Sequence, residues 1–240
     1  MTRIGEALHY AGMAARHNEF IFRLDDEEVA LIRDFEGMYR QCEDPHGQSR
    51  VLENLSYHLV TATLDRAIAM LDHKGRLAIA DLGCGLGYFT RHLKQCYPEA
   101  LVYGLDISSV ALERAARRAP DCTFRRVDLK TADLCIAGGR RFDLAVALDC
   151  LYYFEDHEIH SVLSNIRALL TPRGFLMVGY HLPEDMRFGL YLRSLADAER
   201  LLAPHALEIV YSFEVHNRLD RTYSGAPVGR HLYFLARGSS

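Results

Sequence analysis

The chain has 240 residues, 49% of them apolar and 25% charged, with a formal net charge of -4. That is the composition of a globular domain with a sizeable core, and its acidic balance carries no electrostatic footprint for nucleic acid. No apolar run reaches the length of a membrane span, and Met1-Thr2-Arg3-Ile4-Gly5-Glu6 lacks the apolar block of a signal peptide, so a cytoplasmic location is expected.

Residues 1–70 read as helical. Val29, Leu31, Ile32, Phe35 and Met38 follow one helical face behind the acids Asp25-Asp26-Glu27-Glu28. Asp44-Pro45-His46-Gly47 marks a turn, and Val51, Leu52, Leu55, Leu59, Leu64, Ile68 and Leu71 trace a long helix ending near Gly75. These elements predict an N-terminal helical cap over 1–74, a candidate homodimer surface.

From residue 76 the rhythm changes to alternating strand and helix. Leu77-Ala78-Ile79-Ala80 is a buried strand running into glycines, followed by a helix from about Leu86 to Cys96. Further strands are expected at 101–105, 122–127, 142–148 and 174–180, with helices at 109–118 and 157–170. A helix near 189–202 precedes two β-rich runs, 207–215 and 231–236, with no helix between them, so these must pair antiparallel. The expected fold is a doubly wound α/β domain over 75–240: a mostly parallel seven-stranded sheet with a terminal antiparallel hairpin. The segments 181–202 and 217–228 are the expected substrate elements.

Six cysteines, at 42, 84, 96, 122, 135 and 150, include no C-x-x-C pair and read as reduced, mostly buried thiols rather than a zinc or disulfide framework. His157 and His160 share a helix with no companion ligand cluster, so no metal site is expected.

Ligands of an open α/β sheet lie at the carboxyl ends of its strands. There the first strand delivers Asp81-Leu82-Gly83-Cys84-Gly85-Leu86-Gly87, a loop whose glycines allow a tight turn and close approach of a ligand. Asp106 closes the second strand, placed to accept the hydroxyls of a ribose. Asp128 closes the third, placed to accept an exocyclic adenine amine while Leu129 packs on the ring. Each acid alone could be a helix cap; three at successive strand ends point to one ligand. A nicotinamide dinucleotide fits less well, because its fingerprint needs Gly or Ala where Tyr88 stands, and because Asp81 suits a ligand with an α-amino group.

These residues resemble the class I S-adenosylmethionine-dependent methyltransferases. Asp81 to Gly87 is similar to that family's first motif, and Gly104-Leu105-Asp106-Ile107-Ser108 to its second. Phe142 to Asp149 is similar to its fourth strand, and Leu170-Thr171-Pro172-Arg173-Gly174-Phe175-Leu176 to its lead into the fifth. The resemblance implies S-adenosylmethionine as cofactor, held by Asp81, Gly83, Cys84, Gly85, Asp106, Ile107, Asp128, Leu129 and Leu148. A narrower resemblance to the nodulation-type N-methyltransferases rests on Asp44-Pro45, Glu53, Tyr57 and Leu151-Tyr152-Tyr153, with His46 where that group has an aromatic residue. It implies a small-molecule acceptor, methylated at nitrogen or oxygen, and Tyr57 at the cofactor carboxylate.

His181, directly after the fifth strand, is the candidate general base, and Tyr152 and Tyr153 are candidates to orient the acceptor. His58 and Arg50 on the cap are expected to face the pocket. The competing readings are a protein or nucleic-acid methyltransferase and a noncatalytic cofactor-binding partner of another subunit.

Overall fold

The structure is a computed structural model that describes residues 19–25, 28–71, 75–131, 139–182, 188–221 and 227–238. Seven strands form the main sheet: β3 (Ala78–Leu82), β4 (Leu101–Asp106), β5 (Thr123–Arg126), β6 (Phe142–Leu148), β7 (Leu170–His181), β8 (Leu207–Arg221) and β9 (Pro227–Gly238). Their order is β5-β4-β3-β6-β7-β9-β8. The first five run parallel, and β9 pairs antiparallel with both β7 and β8. Strand order reverses between β3 and β6, which places a ligand crevice at the carboxyl ends of these two strands.

Alternation of side chains across the sheet builds two cores. Ala80, Ala145, Leu176 and Phe234 face one side, against Val162, Leu163 and Ile166 of the helix α5 (Ile159–Leu169) and Leu202 of α6 (Leu195–Leu202). Ile79, Val146 and Met177 face the other, against Val60, Leu64 and Ala67 of α2 (Leu55–Met70) and Leu93 of α3 (Tyr88–Cys96). Each such large aliphatic side chain contributes about 1.5–3 kcal/mol on burial. The helix α4 (Ser109–Arg118) is capped by the Ser108 hydroxyl, which accepts from Ala111 N–H at 3.2 Å.

The N-terminal region departs from the all-helical expectation. Residues 1–18 lie outside the described residues. Beyond them, Phe22–Asp25 (β1) and Glu28–Leu31 (β2) form an antiparallel hairpin, and helix returns only at Phe35–Gln41 (α1). Val29 and Leu31 fit a two-residue period as well as a helical one, and a short apolar run cannot distinguish them. Arg33, at a φ of 57°, breaks the chain, and Asp34 then caps α1 by accepting from Gly37 N–H at 2.8 Å. The long helix expected from Val51 is likewise split: a 3₁₀ segment, Gln48–Glu53, precedes α2, and Asn54 caps α2 at the junction by accepting from Ser56 N–H.

Ile21, Met38 and Tyr39 pack with Leu86 and Ala111 in a third cluster, so the N-terminal segment is seated on the glycine loop and α4. In the tail, the expected helix at 189–202 contracts to α6, whose N-cap Ser194 accepts from Asp197 N–H. Most of the expected 217–228 loop is also reassigned: β8 continues to Arg221, β9 starts at Pro227, and Arg221 pairs with Pro227. Of the cysteines, only Cys84 is buried among the described residues; Cys96 is exposed, against the expectation of mostly buried thiols, and Cys135 lies outside the described residues. No described helix is long and apolar enough to cross a membrane.

Candidate active site

The loop after β3 takes its shape from three glycines in the left-handed region, Gly83 (φ 69°), Gly85 (φ 51°) and Gly87 (φ 73°). Space excludes side chains as firmly as dihedral angle does. A Cβ on Gly83 would lie 2.7 Å from Cys150 Cβ, and one on Gly85 2.5 Å from the Tyr39 hydroxyl and the Gln48 amide. Gly83 and Cys84 N–H groups donate to Leu105 O at 2.7 and 3.1 Å, which ties the loop to the end of β4. Asp106 completes the tie: it accepts from Gly85 N–H at 2.7 Å and from Ser108 N–H at 2.9 Å. Burial raises its pKa, and these backbone bonds oppose the rise. Each carboxylate oxygen keeps a second lone pair for a ligand hydroxyl.

Asp81 ends in the interior, 4% exposed, and accepts from the Thr90 hydroxyl at 2.6 Å. Burial pushes its pKa up to about 7, against the Thr90 bond and with help from the Asp106 charge. A buried acid so poised is stabilised as the anion by an incoming cation. Gln48, Val51, Tyr57, Asp81, Gly83, Cys84, Tyr88, Phe89 and Leu148 together line a cleft. Five of the expected cofactor residues, Tyr57, Asp81, Gly83, Cys84 and Leu148, thus converge there. Gly85 and Asp106 adjoin it through the loop, and Ile107 leaves 38% of its surface exposed beside them, an apolar platform for a flat ring. Cys84 is no nucleophile: burial holds its thiol well above the ordinary range.

Two further expected contacts lie outside the lining of this cleft. Asp128 closes β5 as a cap, accepting from Lys130 N–H at 3.0 Å, and does not line the cleft. Leu129 is 7% exposed within the core that also holds Val162 and Ile166. Arg50 and His58 also turn away from the cleft: Arg50 pairs with Glu53 at 2.8 Å in solvent, and His58 is exposed. The cleft residues missed by sequence reasoning, Gln48, Val51, Tyr88 and Phe89, carry no motif. Gln48 is fixed by Leu86 N–H, which donates to its Oε1 at 2.8 Å.

The neighbouring wall is aromatic. Tyr152 and Tyr153 sit on a 3₁₀ turn after β6, their rings 4.6 Å apart. Tyr153 stacks on Phe188 at 6.4 Å and meets Phe35 edge-on at 5.2 Å. Tyr152 meets Tyr180 at 5.5 Å, and Phe188 meets Phe22 at 5.7 Å. Arg33 fastens the hairpin to this wall through Glu158, Glu155 and the Tyr153 carbonyl.

At the end of β7, His181 faces His231 of β9, with Nδ1 atoms 3.4 Å apart. Burial and the His231 imidazole bring the His181 pKa down to about 4, opposed by the Asp149 charge. On its other side, His231 Nε2 lies 3.5 Å from Asp149 Oδ1. Asp149 and His231 were not anticipated as site residues; their meeting depends on the β7–β9 register.

The comparisons agree with this geometry. Residues 80–176 match the methyltransferase domain family. The trans-aconitate 2-methyltransferase of Escherichia coli K12 / DH10B is 34% identical over 100 residues, 42% of this chain and 37% of that protein. The match therefore spans little more than a third of those curated relatives' length. Among solved structures, the N-methyltransferase NodS of Bradyrhizobium japonicum WM9, in complex with S-adenosyl-L-homocysteine, superposes with a TM-score of 0.62 at 19% identity. That match covers 86% of this chain and 99% of NodS. The magnesium protoporphyrin IX methyltransferase of Synechocystis PCC 6803, with bound S-adenosylmethionine, gives 0.56 at 19% identity over 100% and 98%. Sheet order, glycine loop and paired acids thus share the fold of these methyltransferases, and residues 80–176 carry the match to a methyltransferase domain.

Proposed function

We propose that this protein transfers the methyl group of S-adenosylmethionine to a nitrogen or oxygen of a small molecule. The observation that carries the reading is the wall of rings beside the cleft. The cofactor cleft adjoins a wall of rings from β1, α1, the 3₁₀ turn after β6 and Phe188, seated on the glycine loop by Tyr39 and Gln48. Clefts flanked by aromatic side chains, with a few placed polar groups, suit small ligands. The relatives named for trans-aconitate and magnesium protoporphyrin IX, both small molecules, support the same choice.

When bound, the cofactor supplies an electrophilic methyl carbon on a sulfonium, whose carbon–sulfur bonding pair leaves with sulfur. The chain's residues divide the remaining work. Asp81 holds the cofactor's α-amino group, and Asp106 the ribose. Tyr152 and Tyr153 set the acceptor against the methyl carbon; such positioning can supply roughly 7–11 kcal/mol of a barrier. His181, neutral well below pH 7, offers an imidazole lone pair to the proton the acceptor sheds. We place this chemistry in the cytoplasm.

The test is transfer of tritium from methyl-labelled S-adenosylmethionine to a cell extract separated by size. Label in the fraction of small molecules is the expected result. Label confined to protein or nucleic acid would overturn the reading, and no transfer beside intact cofactor binding would favour a noncatalytic partner.

A further inference from the structure

Asp149 is where the cofactor cleft and the aromatic wall meet. It follows β6 between Leu148, which lines the cleft, and Cys150, whose Cβ crowds Gly83. Its φ of 53° is uncommon for a residue with a side chain, and Asp149 N–H holds it there by donating to Gly179 O at 2.9 Å. Backbone strain of this kind collects at functional sites. Its charge is felt by Tyr57, Tyr152, Tyr153, Tyr233 and His181, from both sides of the site.

Yet Asp149 Oδ1 is buried and accepts no hydrogen bond among the described residues. His231 Nε2 stands 3.5 Å away without making one. A buried carboxylate oxygen in this state is stabilised by a donor that arrives with a ligand. Asp81 would match the cofactor's ammonium, so the donor left to account for is the acceptor's own. The ring faces nearby favour a cation or a proton donor over an anion. Among the described residues, Arg33, which reaches the wall at the Tyr153 carbonyl, is committed to Glu155 and Glu158. His231 is held from both sides, stacked on Tyr233 at 17° and packed on His181 at 4.4 Å. With its Nε2 proton toward Asp149, its Nδ1 accepts from His181 Nδ1–H, which leaves the His181 Nε2 lone pair free.

We propose that Asp149 accepts a hydrogen bond from the bound acceptor's N–H or O–H, that His231 is the positioning residue for this carboxylate, and that the acceptor is therefore a neutral or cationic proton donor rather than a carboxylate. The inference rests on the small-molecule reading and separates this chain from a relative named for trans-aconitate.

Binding to the full chain saturated with S-adenosylhomocysteine tests it, with benzylamine, benzyl alcohol and benzoate as probes that share a ring and differ in head group. Benzylamine or benzyl alcohol should bind at least tenfold more tightly than benzoate. Asp149→Asn should weaken that binding at least tenfold, with S-adenosylhomocysteine affinity unchanged to within twofold. His231→Ala should weaken it several-fold, and His231→Gln, which returns an N–H near the Nε2 position, should restore most of it. Preference for benzoate, no binding by any probe, or no effect of Asp149→Asn overturns the proposal. So does loss of S-adenosylhomocysteine affinity in folded Asp149→Asn, which would move the carboxylate to the cofactor's side. The small-molecule reading fails by a different measure, the size fraction that takes the label.

Discussion

The two sides of this site are made of different material. The cofactor side is built around backbone: three left-handed glycines and a carboxylate that accepts from Gly85 and Ser108 N–H groups, with Gln48, Tyr57 and Leu148 closing around this loop. The wall proposed for the acceptor is all side chains, drawn from β1, α1, the turn after β6, Phe188, β7 and β9. Backbone walls are set by the fold and tolerate no added atom, whereas a wall of rings can be recut one residue at a time. Cofactor affinity should therefore be brittle, and acceptor choice adjustable.

The sharpest way to break that contrast is Gly83→Ala. The added Cβ would meet Cys150 at 2.7 Å, and a φ of 69° costs an L-residue about 1–2 kcal/mol on its own. Calorimetry should show a loss of S-adenosylmethionine affinity of about a hundredfold, with the far-ultraviolet dichroism of a folded chain retained. The counterpart across the site is His181→Ala, which should slow turnover about a hundredfold and leave cofactor affinity alone; equal turnover would remove His181 from the chemistry.

Asp106→Ala should weaken cofactor binding by about tenfold, as expected for a charge-assisted hydrogen bond of roughly 1.5–3 kcal/mol. An unchanged affinity would show that Asp106 serves only Gly85 and Ser108. The gentlest probe is pH. With the Asp81 pKa at about 7, the free protein is protonated there at lower pH, and a bound ammonium favours the anion. Binding must then expel a proton, so affinity should rise about fivefold from pH 6 to pH 7 and level off above. Calorimetry in buffers of different ionisation enthalpy measures the released proton; none released at pH 6 would place the ammonium elsewhere. The sign is opposite for the free fold. An acid whose folded pKa is raised makes stability fall as pH climbs from about 4 to about 7.

The same contrast explains what could be read from the sequence. Asp81, the glycines and Asp106 lie within one strand–loop–helix–strand unit, where spacing alone fixes geometry, and the parallel sheet followed from alternating periods. Leu129 stays ambiguous in the sequence because an apolar residue after a strand suits a core as well as a ligand. The hairpin at 22–31 misled because Val29 and Leu31 fit two periods. Asp149 and His231 were illegible for another reason. Their meeting requires His181 opposite His231 in the β7–β9 register, which no local pattern states. Gln48 and Tyr39 reach the loop only through the fold of the N-terminal segment.

The place of β9 bears on how the molecule is made. It comes after every other described strand in the chain, yet lies inside the sheet, between β7 and β8. Synthesis proceeds from the N-terminus, so the parallel strands through β7 can assemble on the ribosome while the outer edge of β7 is still bare. During that interval the nascent domain presents open N–H and C=O groups of a buried-type strand, a template for unwanted pairing. His231 arrives with the strand that closes this gap. Maturation of the acceptor side thus coincides with the end of the aggregation-prone interval, and slow insertion of β9 would lower the yield of folded protein before it lowered any rate constant.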